Sequence, residues 1–164
     1  YTYAAIDFLE KKLKQIKEPL VVFEYGSGNS TIWWSKHAKH VVSVEDKEAW
    51  FNLVKADIEE QKIDNVDYYH CKFDYGHAIK RMGMFDIIVI DGEDRVTCTM
   101  EMYNNLKEDG IVVFDNSNRP EYKDAYASLA FHGFRHIDFV GLIPICTNPG
   151  STSVYYRNGN IFNI

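Results

Sequence analysis

Three observations predict an α/β fold with a mostly parallel sheet. Short apolar runs alternate with segments of helical periodicity along the chain. The runs Leu20-Val-Val-Phe23, Phe85-Asp-Ile-Ile-Val-Ile90 and Ile111-Val-Val-Phe114 are apolar at nearly every position, as strands covered on both faces must be. Four strand-like runs end in a carboxylate: Glu24, Glu45, Asp91 and Asp115. Strands that alternate with helices pair in parallel and connect by right-handed crossovers.

The elements follow in order. Ile6, Leu9, Leu13 and Ile16 recur at helical spacing, and Pro19 closes that segment. After the first strand, Ser30 to Ala38 reads as a short helix made bulky by Trp33 and Trp34. Val41 to Val44 is the second strand. The segment from Lys47 to Gln61 is a helix whose stripe is Trp50, Leu53, Val54 and Ile58. Val66 to Cys71 is a weaker third strand, and Phe85 to Ile90 is the fourth. A helix from Thr97 to Leu106 is closed by the turn Glu108-Asp-Gly110, before the fifth strand at Ile111. Glu121 to Phe131 is helical, and two last strands, Phe134–Val140 and Ser153–Arg157, flank the loop Gly141–Thr152. That loop is the longest irregular stretch and is apolar for a surface loop, so it is expected to cover a substrate or meet a partner.

At 164 residues, with 46% hydrophobic and 26% charged residues, the chain fits one globular domain. Residues 1–17 form an N-terminal helix available as a lid or an interface, and residues 18–164 form the core. The net charge of −6 argues against a dedicated nucleic-acid or anionic-membrane surface. No apolar run approaches the roughly 18 residues that span a bilayer. The start lacks an initiator Met and the features of a secretion signal, so an upstream extension stays open and no export signal is expected. Cys71, Cys98 and Cys146 are widely spaced and odd in number, which suits unpaired thiols in a reducing cytoplasm. Aromatic residues make up 15%, including Tyr3, Phe8, Trp33 and Trp34. Most are expected to pack helices on the sheet, with a surplus available for a pocket or a homodimer interface.

In an open parallel sheet, ligands bind beyond the carboxyl ends of the strands. Carboxylates crowded there repel one another unless they meet hydroxyls, a cation or a metal ion, although Asp and Glu at strand ends also serve as helix N-caps. The turn Glu24-Tyr-Gly-Ser-Gly28 narrows the choice. Gly26 and Gly28 permit positive φ and close backbone approach to a ligand. A dinucleotide fingerprint needs a third glycine where this chain has Thr31. Glu24 would oppose a pyrophosphate, and no Gly-Lys-Ser/Thr follows. A cationic ligand carrying a nucleoside without phosphate fits better.

On these residues the chain resembles the class I S-adenosylmethionine-dependent methyltransferases. Glu24-Tyr-Gly-Ser-Gly28 resembles the family's acidic-x-Gly-x-Gly motif, and Ser43-Val-Glu45 its acidic second-strand end. Phe85 to Asp91 resembles its fourth motif, and Leu106-Lys-Glu-Asp-Gly-Ile-Val-Val113 its fifth-strand segment. The likeness runs over residues 18 to 157. It implies a Rossmann-like three-layer sandwich, with a seven-stranded sheet whose last strand is antiparallel. It also implies S-adenosylmethionine as cofactor. The Gly26–Gly28 backbone would pass its methionine part and Glu45 would take its ribose hydroxyls, with Glu24, Tyr25, Ser27, Asn29, Ser30 and Asp46 as further cofactor-binding candidates. Asp74 would reach the adenine amino group, and Asp91 would lie beside the cofactor.

A narrower likeness concerns metal-dependent small-molecule O-methyltransferases, in which two Asp and one Asn hold Mg²⁺. Here the matching residues are Asp91, Asp115 and Asn116. Those enzymes place a lysine base after the first Asp, where this chain reads Gly92-Glu-Asp-Arg95, and Arg95 is a poor base. The reading is therefore that no metal is used, with Mg²⁺ held by Asp91, Asp115 and Asn116 as the alternative. Asp91 and Asp115 are the candidate catalytic residues, with Glu93 and His77 as further candidate bases. The chain lacks the Asn/Asp-Pro-Pro-Tyr/Phe signature after strand four, so the expected acceptor is a hydroxyl or amine of a small molecule. Aminopropyl transfer from decarboxylated S-adenosylmethionine, or binding of the cofactor without catalysis, are the competing functions.

Overall fold

The computed structural model describes residues 1–144 and 147–164; Cys146 and part of the predicted 141–152 loop lie outside the described residues. Five helices surround seven strands: α1 (Tyr3–Leu13), β1 (Val21–Tyr25), α2 (Asn29–Ser35), β2 (His40–Glu45), α3 (Glu48–Glu60), β3 (Val66–His70), β4 (Phe85–Ile90), α4 (Arg95–Glu101), β5 (Leu106–Asp115), α5 (Lys123–Phe131), β6 (Arg135–Leu142) and β7 (Pro149–Tyr156). The sheet order is β3-β2-β1-β4-β5-β7-β6. β7 runs antiparallel to both its neighbours, β5 and β6, and the first five strands pair in parallel. The predicted sandwich with an antiparallel last strand is what the chain forms.

Both faces of the central strands are covered, which explains their uniform apolarity. Alternation sends Val22, Ile87, Val89, Ile111 and Val113 to the face packed by α1 and α2. It sends Phe23, Tyr25, Ile88, Ile90, Val112 and Phe114 to the face packed by α4 and α5. Each such fully buried side chain contributes about 1.5–3 kcal/mol relative to exposure. β3 lies at the sheet edge with alternating exposure, hence its weaker pattern.

The N-terminal helix is fastened to the core. Thr2 caps α1 by accepting from Ala5 N–H at 3.2 Å, while its hydroxyl donates to Phe139 O at 3.0 Å. Leu9 and Leu13 are buried against the sheet.

Four elements differ from expectation. Only Val54 and Ile58 of the α3 stripe are buried; Trp50 and Leu53 are about half exposed. The predicted α4 is shorter, and Glu108-Asp-Gly110 lies within β5 as a bulge rather than as a separate turn. Phe85 pairs with Leu106 and Ile87 with Ile111, so the single residue Asp86 of β4 stands opposite the four residues 107–110 of β5. A 3₁₀ segment, Tyr75–Arg81, lies between the third and fourth strands, where the sequence pattern assigns no element. The last hairpin is longer than predicted, since Gly141 pairs with Gly150 and Leu142 with Pro149.

Candidate functional site

The chain runs outward from β1 to β2 and β3, then crosses back to β4 on the other side of β1. This reversal leaves a crevice between the carboxyl ends of β1 and β4, the usual ligand position in such sheets. Tyr25 accepts from Asp91 N–H at 2.9 Å, and Gly26 N–H donates to Val44 O at 3.0 Å, so three strand ends meet at the turn. Gly26 has φ of +85°, and a Cβ there would stand 2.5 Å from Gly92 Cα. Gly28 differs from expectation: its φ of 161° is extended backbone, and a Cβ would meet only Trp50 at 3.7 Å.

Two hollows share this edge. The first, of about 350 Å³, is lined by Tyr1, Ile6, Trp33, Ile143 and Pro144 together with Gly28, Asn29 and Ser30. The second, of about 410 Å³, is lined by Gly26, Glu45, Asp46, Lys47, Gly92, Glu93, Arg95, Asn116 and Arg119. Ser27, Trp50 and Asp91 belong to both. The Trp50 indole N–H donates to Ser27 O at 2.7 Å and forms the partition. Reading Trp50 as a packing residue concealed this role; its position five residues after Glu45, at the start of a helix leaving a strand end, was the available signal.

Glu45 is 4% exposed and holds the turn. Its Oε2 accepts from Ser27 N–H at 3.0 Å and from Ser27 Oγ at 2.9 Å, and its Oε1 accepts from Lys47 N–H at 3.1 Å. Tyr68 meets Ser27 Oγ at 2.6 Å, a contact absent from the sequence reading. Asp46 is pushed above the usual carboxylate range by burial and by its bond to Glu45. Lys47 Nζ donates to Glu93 Oε1 at 2.5 Å and joins the loops after β2 and β4 across the charged hollow.

Asp91 stands at the centre. Desolvation in the crevice and the nearby Asp115 push it up to about 8, although Arg95 opposes the shift. Arg95 Nη2 donates to Asp91 Oδ1 and to Asn116 Oδ1, both at 3.0 Å.

Several expected site residues lie elsewhere. Glu24 is fully buried on the face packed by α1 and α2, where Thr31 and Ser43 donate to its Oε2 at 2.5 and 2.8 Å. Its Oε1 has no hydrogen-bond partner among the described residues, and burial pushes the group up to about 7. It therefore supports the turn from beneath, since Thr31 Oγ1 also accepts from Gly28 N–H at 3.0 Å. The Tyr25 side chain points into the opposite core and donates to Gly76 O at 2.8 Å. Asp74 is exposed and lines a separate hollow with Phe73 and His77. His77 pairs with Glu101 at 3.1 Å, away from the crevice. Asp115 is 6% exposed and accepts from Thr152 at 2.5 Å, so it acts on Asp91 only through its field.

The donor set does not fit Mg²⁺. The Arg95 guanidinium takes the oxygens of Asp91 and Asn116 that a cation would need, and Asp115 Oδ1 is engaged by Thr152. Among the described residues no group of three His, Cys, Asp or Glu is placed to hold a metal. The carboxylate lining of Glu45, Asp46, Asp91 and Glu93 does fit a cationic ligand rich in hydroxyls.

No family model matches the chain, and no curated relative matches its sequence. Solved structures share its fold. Precorrin-6y C5,15-methyltransferase from Geobacter metallireducens superposes with a TM-score of 0.71 at 14% identity, over 93% of this chain and 86% of that one. A protein from Streptococcus mutans described as a methyltransferase, in complex with SAH, gives 0.68 at 16% identity, over 92% and 97%. An rRNA methylase from Streptococcus thermophilus gives 0.68 at 14% identity, over 93% of each chain. The chain has the fold of the class I S-adenosylmethionine-dependent methyltransferases.

Proposed function

We propose that this protein is an S-adenosylmethionine-dependent methyltransferase acting on a hydroxyl or amine of a small molecule. One observation carries the reading: a charged hollow with a carboxylate edge and an apolar hollow meet at Ser27, Trp50 and Asp91, over the switch point of this fold. Carboxylates favour a sulfonium nucleoside and disfavour a pyrophosphate.

Glu45 would accept from both ribose hydroxyls, with Asp46 beside it. The backbone of Gly26, Ser27 and Gly28, with Asn29 and Ser30, would lie along the methionine part. S-adenosylmethionine, when bound, supplies an electrophilic methyl group on its sulfonium. The chain's own work is then alignment, exclusion of water and removal of one proton. Arg95 fixes Asp91 Oδ1, and Asp91 Oδ2 makes no hydrogen bond among the described residues. With its pKa raised to about 8, Asp91 is suited to take the proton that the acceptor loses. Trp33, Ile6, Ile143 and Pro144 would hold the apolar body of that acceptor away from water.

A small acceptor is supported by the size of the apolar hollow, and the net charge of −6 opposes the phosphates of a nucleic acid. No helix among the described residues is long and apolar enough to cross a membrane.

Thermal melting with S-adenosylmethionine, decarboxylated S-adenosylmethionine and NAD tests the cofactor. S-adenosylmethionine should raise Tm by several degrees and NAD should not. No shift would defeat the cofactor assignment, and a preference for the decarboxylated form would redirect it to aminopropyl transfer. Transfer of labelled methyl to a panel of phenols and amines, with total RNA as the contrasting arm, tests the acceptor. Label found only in RNA would defeat the small-molecule reading.

A further inference from the structure

One edge of the charged hollow is built from nitrogen donors rather than carboxylates. Arg95 is 7% exposed, and its Nη1 donates to the Tyr122 hydroxyl at 2.9 Å. Arg119 approaches the same hydroxyl at 3.5 Å. Two guanidinium groups thus converge on one phenol oxygen, an arrangement that their like charges oppose. Asp91 answers the charge of Arg95. Arg119 has no carboxylate within ion-pair distance among the described residues. Glu93 shares the lining but is held by Lys47.

Asn116 completes the edge. Arg95 takes its Oδ1, which fixes the amide, and its Nδ2 makes no hydrogen bond among the described residues although the residue lines the hollow. Arg95 Nε is buried and likewise has no partner among the described residues. The edge therefore offers a planar fork and an amide donor with no acceptor, beside the proposed proton acceptor Asp91.

We propose that this edge binds an anionic group, a carboxylate or a phosphate, carried by the small-molecule methyl acceptor. The inference rests on the methyltransferase reading. The Arg119 guanidinium and Asn116 Nδ2 donate to the anion, and Arg95 is a positioning residue that orients the amide. A guanidinium fork matches both anions in bidentate geometry. Asp91 lies on both hollows, so an acceptor whose nucleophile stands at Asp91 has its apolar body on one side and its anion on the other.

Titration calorimetry on the whole protein saturated with SAH, with phenol, para-hydroxybenzoate and inorganic phosphate as probes, tests this. One of the two anions should bind about tenfold tighter than phenol, and which one does so identifies carboxylate or phosphate as the source. Arg119→Gln should remove the preference and Arg119→Lys restore part of it, while both keep SAH affinity within about twofold. Arg119 is exposed, so both variants are expected to fold, and circular dichroism checks that. Phenol binding as tightly as the anions, or a preference unchanged in Arg119→Gln, overturns the proposal. Loss of SAH affinity in Arg119→Gln also overturns it, because the anion would then be the cofactor's own carboxylate. A single-stranded oligonucleotide bound through Arg119 more tightly than either small anion overturns it in favour of a nucleic-acid acceptor. Failure of the unaltered protein to bind SAH, read before any probe is added, defeats the methyltransferase reading instead.

Discussion

The two hollows at the carboxyl edge are similar in size but opposite in chemistry. The apolar one is walled by α1, α2 and the residues that follow β6, which bring Ile6, Trp33, Ile143 and Pro144 to it. The charged one is walled by the loops that follow β2, β4 and β5, where the strands end in polar residues. Helix faces thus supply exclusion of water, and strand ends supply charge. Ser27, Trp50 and Asp91 are common to both, so the reacting atoms belong where these environments touch.

The largest effect should come from the charged side. Glu45→Ala removes the acceptor for Ser27 N–H, Ser27 Oγ and Lys47 N–H, as well as the proposed ribose contact. Hydrogen bonds to a charged group contribute about 1.5–3 kcal/mol each, so SAH affinity should fall by about two orders of magnitude. Calorimetry reads this directly. A loss under about twofold would mean that the charged hollow is not the cofactor side.

Next comes a contrast within the turn that both hollows share. Gly26→Ala forces a Cβ to within 2.5 Å of Gly92 Cα at a φ of +85°. Overpacking and backbone strain together should cost about 2–4 kcal/mol of stability. Gly28→Ala meets only Trp50 at 3.7 Å on an extended backbone, and should cost less than about 1 kcal/mol. Urea unfolding of both variants decides it. Equal losses would show that Gly28 is constrained by something other than its present neighbours.

Much of this was legible in the sequence, and the omissions share a cause. β1, β2, β4 and β5 were readable because a strand covered on both faces must be apolar throughout, a pattern that needs no partner to be known. The Gly26 turn and Glu45 were readable because backbone conformation and strand ends are local properties. What depends on the third dimension was not. Glu24 looks like a ligand carboxylate beside the turn, yet alternation along β1 points it into the α1 and α2 layer. Tyr25 alternates the other way, into the core. Trp50 keeps helical spacing with Val54 and Ile58, but its indole stands at the crevice, bonded to Ser27 O. Asp115 and Asn116 are adjacent in sequence, but only Asn116 reaches the hollow.

The buried Glu24 gives a pH dependence opposite to that of an ordinary paired carboxylate. Its folded value of about 7 lies above its ordinary 4.5, so the native state holds the proton through a window where the unfolded chain has lost it. Native protein then binds more protons, and stability falls as pH rises between those values. The stabilising contribution is complete below the lower value and lost above the higher, in total about 3 kcal/mol. Asp91, raised to about 8, acts in the same direction. Glu24→Gln keeps an oxygen for Thr31 and Ser43 without a charge, so it should flatten the slope and stabilise the protein at about pH 8. Urea unfolding at about pH 5 and about pH 8 reads both effects. An unchanged slope would show that Glu24 stays ionised in the fold.

The smallest effect belongs to the bridge across the mouth of the charged hollow. Lys47 and Glu93 are each about 60% exposed, and their ion pair is open to water and salt. Lys47→Met should change stability by less than about 0.5 kcal/mol, an amount that salt erases. Its effect on ligand entry should be larger. Glu93 is held below the usual carboxylate range by Lys47, and without that partner it presents a free charge to an incoming cation. Association of S-adenosylmethionine should therefore speed up at low ionic strength, and the gain should vanish at about 0.5 M salt. Stopped-flow binding at both salt concentrations measures this. An association rate that slows in the variant would mean that the lysine draws in the methionine carboxylate, and that the charged hollow meets the cofactor by its acidic end first.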